Sequence, residues 1–180
     1  MYQSFFRHLA ALLVCGTCFL PPQAKAAHPP APLTEIAVAA GSWQGKLLYN
    51  DYASPGNMVT LPTRLHVALS QPDTLVLYFI YDDGPGKIVY GYDQMQFDLK
   101  AGLVNWRSGD NATATQSYQI TAVQRNAAGT QFSLSRQADA LKIQYQLTIA
   151  ADSIVMEKTE VAPASAAVFR HRYEFSRQMP

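Results

Sequence analysis

Residues 141–149 read Leu-Lys-Ile-Gln-Tyr-Gln-Leu-Thr-Ile. Leu141, Ile143, Tyr145, Leu147 and Ile149 share one parity, and Lys142, Gln144, Gln146 and Thr148 share the other. Side chains of an extended chain point alternately to opposite faces, so this stretch is a strand with one buried and one wetted face.

The same alternation recurs outward in both directions. In 166–175, Ala167, Phe169, His171, Tyr173 and Phe175 oppose Val168, Arg170, Arg172 and Glu174. Val59, Leu61, Leu65, Val67 and Leu69 oppose Thr60, Arg64 and His66, while Trp43, Leu47 and Tyr49 oppose Gln44, Lys46 and Asn50. Leu75 to Tyr81 is apolar on both parities, which predicts a covered outer face, with the N-terminal segment as the cover. Turn-forming clusters such as Ser54-Pro55-Gly56-Asn57, Gln71-Pro72-Asp73 and Asp83-Gly84-Pro85-Gly86 separate the runs.

About ten strands follow: 42–50, 58–69, 73–82, 87–98, 102–107, 115–124, 130–137, 140–149, 152–159 and 166–175. Gly91 is the expected bend in the fourth. Short connections throughout predict an all-β, antiparallel up-and-down barrel, which closes on itself and so removes its pairing edges. A two-sheet sandwich is the competing architecture. Leu33 to Ala40 supplies a short helical turn, with Thr34 as its expected cap.

The amino terminus sets the expected compartment. Arg7 and His8 precede an apolar run from Leu9 to Leu20, and Ala24-Lys25-Ala26 offers small residues before a cut. Residues 1–26 therefore read as a signal peptide cleaved near Ala26, and the protein as secreted or periplasmic. Residues 27–40 form a proline-rich leader and short helix, leaving 41–180 as one barrel domain. Cys15 and Cys18 both fall within the signal, which leaves the mature chain without disulfide, thiol or cysteine–metal chemistry. Removing Arg7 and Lys25 leaves 12 basic residues against 13 acidic, a formal charge of −1. Such a balance gives no electrostatic case for nucleic acid. No other run reaches the ~18 apolar residues that a membrane-spanning helix needs.

Gly41-Ser42-Trp43 opens the first strand directly after the short helix, and this resembles the Gly-x-Trp start of the lipocalins. The strand count is closer to ten-stranded relatives in the wider calycin group. The resemblance implies that Trp43 lies at the closed end of the barrel, near an arginine that follows the last strand. Arg172 and Arg177 are the two positions that match, each able to lie over the indole as a cation–π contact.

Strand alternation divides the loops between two rims, with most of the longer ones on one. That rim is the expected mouth, since recognition is usually carried by loops on a rigid scaffold. Tyr49, Phe79, Tyr81, Trp106, Tyr145, Phe169, His171 and Tyr173 are expected to point inward and to form the ligand-binding lining. A buried tyrosine hydroxyl without a partner costs about 1–3 kcal/mol, so the lining implies either a hydrogen-bonded core or a cavity for a polar-headed ligand. His171 suits ligand recognition, haem ligation or a general base, but a hydrogen-bonded core histidine explains it too. Asp51, Asp82 and Asp83 gather at the same rim, where a hard cation or the turn backbone would satisfy them. Asn111-Ala112-Thr113 matches a glycosylation acceptor.

No catalytic motif, metal-ligand spacing or cofactor fingerprint appears in the sequence. The expected function is binding of a small apolar or amphipathic molecule inside the barrel, without metal or cofactor. The alternative is a filled barrel that binds a protein partner through its surface, as an inhibitor or an envelope-assembly factor.

Overall fold

A computed structural model describes residues 33–51, 53–54, 56–109 and 115–178. The signal, residues 27–32 of the leader and the Asn111 acceptor lie outside the described residues.

The chain folds as α1 (Thr34–Ala37) followed by ten strands: β1 (Gly41–Asn50), β2 (Met58–Gln71), β3 (Thr74–Asp82), β4 (Ile88–Asp98), β5 (Leu103–Ser108), β6 (Gln116–Asn126), β7 (Gly129–Ala138), β8 (Leu141–Ile149), β9 (Ser153–Val161) and β10 (Val168–Arg177). Every strand pairs antiparallel with its chain neighbours, and β1 pairs with β10, so the sheet is a closed up-and-down barrel. Strand ends agree with the alternation pattern to within two residues. In β8, the odd-numbered Ile143, Tyr145, Leu147 and Ile149 are all buried.

One rim is closed by α1. Ile36 and Ala39 are 0% and 1% exposed, and the Leu33 amide donates to the carbonyl of Pro72 in the β2–β3 turn. Trp43 is fully buried beneath them and donates its indole N–H to the Ala39 carbonyl at 2.9 Å. The Arg177 guanidinium lies over the Trp43 ring, 4.1 Å from its centroid, and donates to the carbonyls of Val38, Ala40 and Ala151. Arg177 is thus the arginine that the lipocalin resemblance anticipates. Arg172 is not, because it pairs with Glu157 and Glu174.

Gly41 explains why this start needs glycine. Its φ of +135° disfavours an L side chain, and a Cβ there would come within 2.7 Å of the Arg177 Nη1 atom.

Three local expectations are corrected. The helix cap is Leu33, which makes no side-chain capping bond, so Thr34 does not cap. On the outer face of β3 Thr74 and Val76 are buried but Tyr78 is 49% exposed, so the face is covered only near the end where α1 packs. At Gly91 the β3–β4 register runs unbroken from Asp82–Ile88 to Thr74–Gln96, and the missing side chain leaves space for the Tyr81 ring, which would lie 3.2 Å from a Cβ.

The third correction concerns Phe169. A bulge between Phe169 and His171 shifts the register, so that His171 faces Lys158 while Phe169 faces Thr159. Neighbouring residues on a strand point to opposite faces, so the bulge sets Phe169 outside the barrel while His171 stays inside.

Candidate functional site

The rim opposite α1 is open. It holds a cup of about 320 Å³, formed by Leu47 and Tyr49 of β1, Leu61 of β2, Tyr81 of β3, Val89 of β4 and His171 and Tyr173 of β10. Asp83, from the β3–β4 turn, stands at its edge. All seven strand residues lie at inward positions of strands that the register joins through the β1–β10 seam. The volume is at the lower end of the ~300–1,000 Å³ range of ligand pockets.

The cup has an apolar wall and a polar wall. Leu47, Leu61 and Val89 supply the first. The second is built on a bond between the Tyr81 and Tyr173 hydroxyls, 2.9 Å apart. Burial raises both phenols, Tyr173 more strongly than Tyr81, so both are neutral near pH 7. Phe79 stacks on Tyr81 with ring centroids 5.8 Å apart, and Phe175 stacks on Tyr173 at 5.8 Å. These stacks fix the two phenols from behind.

His171 meets Tyr173 edge to face at 5.5 Å and Tyr145 at 6.0 Å. Burial, with the positive charge of Lys158 added, lowers its pKa to about 4, so the imidazole is neutral near pH 7. The pull of Glu160 in the other direction is smaller. Lys158 and Arg170 both bind the Glu160 carboxylate, at 2.9 and 2.6 Å. Burial pushes that carboxyl up, but the hydrogen bonds and positive charges of Lys158 and Arg170 together more than offset the penalty and hold it below the usual range.

Deeper in the barrel the space is filled. Tyr145 packs against Trp106 at 4.6 Å and Tyr118 at 5.5 Å, and Phe97 against Phe132 at 5.2 Å. Asp93 points into this region from β4, opposite Ser108 of β5. Burial raises its carboxyl to about 6, against weaker opposing effects from the Ser108 hydroxyl and the Trp106 indole. The Trp106 N–H faces that carboxyl without reaching good hydrogen-bond geometry.

Of the eight residues read from sequence as a lining, Tyr49, Tyr81, His171 and Tyr173 meet at the cup. Phe79, Trp106 and Tyr145 are core, at 2%, 6% and 9% exposure, and support the cup from below. Phe169 is on the other face. Sequence reading missed Asp93, Tyr118, Lys158 and Glu160. Asp93 shares its parity with Val89, Met95 and Phe97, and Lys158 and Glu160 share theirs with Ile154 and Met156. A polar residue at an inward position was the available signal in each case. Tyr118 had a weaker one, because a bulge between Ile120 and Ala122 interrupts the alternation of β6.

The rim carboxylates are occupied by turns. Asp51 accepts from the Ala53 amide and Asp82 from the Gly84 amide, while Asp83 pairs with Lys87. Among the described residues, no group of three or more His, Cys, Asp or Glu is placed to hold a metal ion. A larger groove of about 570 Å³ runs along the outer wall past Arg64, Ile80 and Ile88. Its lining side chains project mainly from the outer face of the barrel.

No family model matches the chain, and no curated protein matches it by sequence. Solved structures do resemble it. Rv2717c from M. tuberculosis superposes with a TM-score of 0.57 at 12% identity, covering 82% of this chain and 99% of that one. The S-type phycobiliprotein lyase CPES from Guillardia theta gives 0.53 at 8% identity, covering 81% and 90%. At such identities the likeness is one of fold, and together with the closed ten-stranded ring it supports a calycin-like barrel.

Proposed function

We propose that this chain is a carrier or receptor barrel that takes a small apolar or amphipathic molecule at its open rim. The observation that carries the reading is the cup itself, where Leu47, Leu61 and Val89 face the Tyr81–Tyr173 pair and His171. Apolar surface buried there contributes roughly 25 cal/mol per Å², and the polar wall orients the ligand. The phycobiliprotein lyase adds a fold-level analogy with a protein whose name says that it acts on phycobiliproteins. The signal-like segment at residues 1–26 supports a secreted or periplasmic setting for the carrier.

The test is native mass spectrometry of the mature protein purified from its own compartment, followed by solvent extraction. A reproducible extra mass, released on unfolding, is the expected result. A clean apo mass, together with failure of lipid and haem probes to bind, would remove the carrier reading.

A surface-binding role has one observation in its favour. Tyr90, 75% exposed, and Ile88, 46% exposed, stand on the outer face of β4 beside Tyr78. Capture of a specific partner that is lost in Tyr90→Ser would favour it.

A further inference from the structure

We propose that the cup selects uncharged amphiphiles that present an oxygen acceptor, such as a ketone, aldehyde or ester, and takes them head-first. The inference rests on the carrier reading and narrows it to a chemical class.

The argument is a count of donors, acceptors and charges. Two phenols bonded to each other use one of their two O–H groups, which leaves one donor on the pair. A neutral imidazole offers one N–H, and the ring contacts of His171 are with Tyr145 and Tyr173. The polar wall thus presents two neutral donors close together, since His171 and Tyr173 touch edge to face, and the Tyr49 hydroxyl adds a third on the same lining. A carbonyl oxygen has two lone pairs and matches two donors. Leu47, Leu61 and Val89 are left for the chain that follows the head.

The charged groups around the cup balance in number: Lys87, Lys158 and Arg170 stand against Asp83, Glu160 and Asp93. Lys158 and Arg170 share the one Glu160 carboxylate, and the Asp93 carboxylate acts on the Tyr81–Tyr173 pair, so a head of either sign that gains from one of these is opposed by the other. Losing water to such a balanced site is unfavourable for a charged head. At ~30 Å³ per water-sized group, a cup of about 320 Å³ takes roughly ten non-hydrogen atoms.

The experiment is calorimetric titration of the mature protein near pH 7.5 with decan-2-one, decanoate and decylamine. Decan-2-one is expected to bind at least tenfold more tightly than either ion. Tyr81→Phe with Tyr173→Phe should lose about tenfold for decan-2-one yet bind 1-methylnaphthalene, which has no hydrogen-bonding atom, as the parent does. Tightest binding of decanoate would assign the head to the Lys158–Arg170 charges, and tightest binding of decylamine would assign it to Asp93. Either result overturns the proposal while leaving a carrier. Unchanged decan-2-one affinity in the folded double variant also overturns it. Failure of all probes, 1-methylnaphthalene included, removes the proposal together with the carrier reading.

Discussion

Trp43 and Arg177 are register partners across the β1–β10 seam, and the guanidinium covers the indole at 4.1 Å. The pair fastens three things at once: the first strand, the last strand and the helix that plugs the barrel. The three carbonyls that Arg177 reaches belong to the α1–β1 segment and the β8–β9 turn. One side chain thus ties the helical plug and a turn to the seam.

Arg177→Ala should destabilise the protein by about 2–3 kcal/mol, from hydrogen bonds to a charged donor together with a cation–π contact. Arg177→Lys should recover little of this, because an ammonium cannot span the same fork of carbonyls. Urea unfolding followed by Trp fluorescence measures both. A loss below ~0.5 kcal/mol for the alanine variant would mean that the clamp is decorative.

Gly41→Ala tests the same corner from the backbone side. A Cβ there meets Arg177 and the φ of +135° is unfavourable, so two penalties combine. The expected loss is about 1–3 kcal/mol, with ligand uptake at the distant cup unchanged. A stable Gly41→Ala protein would show that the corner relaxes freely.

Val89→Trp should block the cup. Val89 lines it yet is 41% exposed, so a larger ring can be accommodated at the rim without overpacking the core. Affinity for any cup ligand is expected to fall at least tenfold while the melting temperature moves by no more than about 2 °C. Truncating Phe79 or Tyr145 is the poorer experiment. Both are core residues, and such deletions cost about 3–5 kcal/mol each.

Two buried groups make opposite contributions to the pH dependence of stability. His171 has its pKa lowered to about 4, so between there and its unfolded value the unfolded chain binds more protons, and stability falls with acid. Asp93 has its pKa raised to about 6, so between its unfolded value and 6 the native state binds more protons. That contribution is present at low pH and is lost as pH rises through 6. Each is on the order of 3 kcal/mol at most. Relative to the parent, His171→Gln should become more stable as pH falls from 6.5 to 4, and Asp93→Asn less stable. Denaturant midpoints at pH 4.5 and 7.5 decide it, and parallel profiles would contradict both environments.

The barrel was legible because each strand has one wet face, as residues 141–149 illustrate. What single-strand periodicity does not encode is depth along the barrel axis. Tyr145 and Tyr173 both point inward, but strand tilt and stagger put one in the packed middle and the other at the cup. Bulges are the second blind spot. The alternation through Ala167 and Phe169 looks continuous in sequence, yet one extra residue before His171 turns Phe169 outward. The closed end was easier, because its glycine, tryptophan and arginine form a compact constellation joined by local contacts.

The ring has its seam between the first strand and the last, with Trp43 and Arg177 separated by most of the chain. Closure therefore waits until β10 has been made. At 5–20 residues per second, a nascent chain carries β1 with an open edge for on the order of ten seconds. During that interval the unpaired edge is a template for another copy, so truncated or stalled chains are the form of this protein most prone to strand exchange and aggregation.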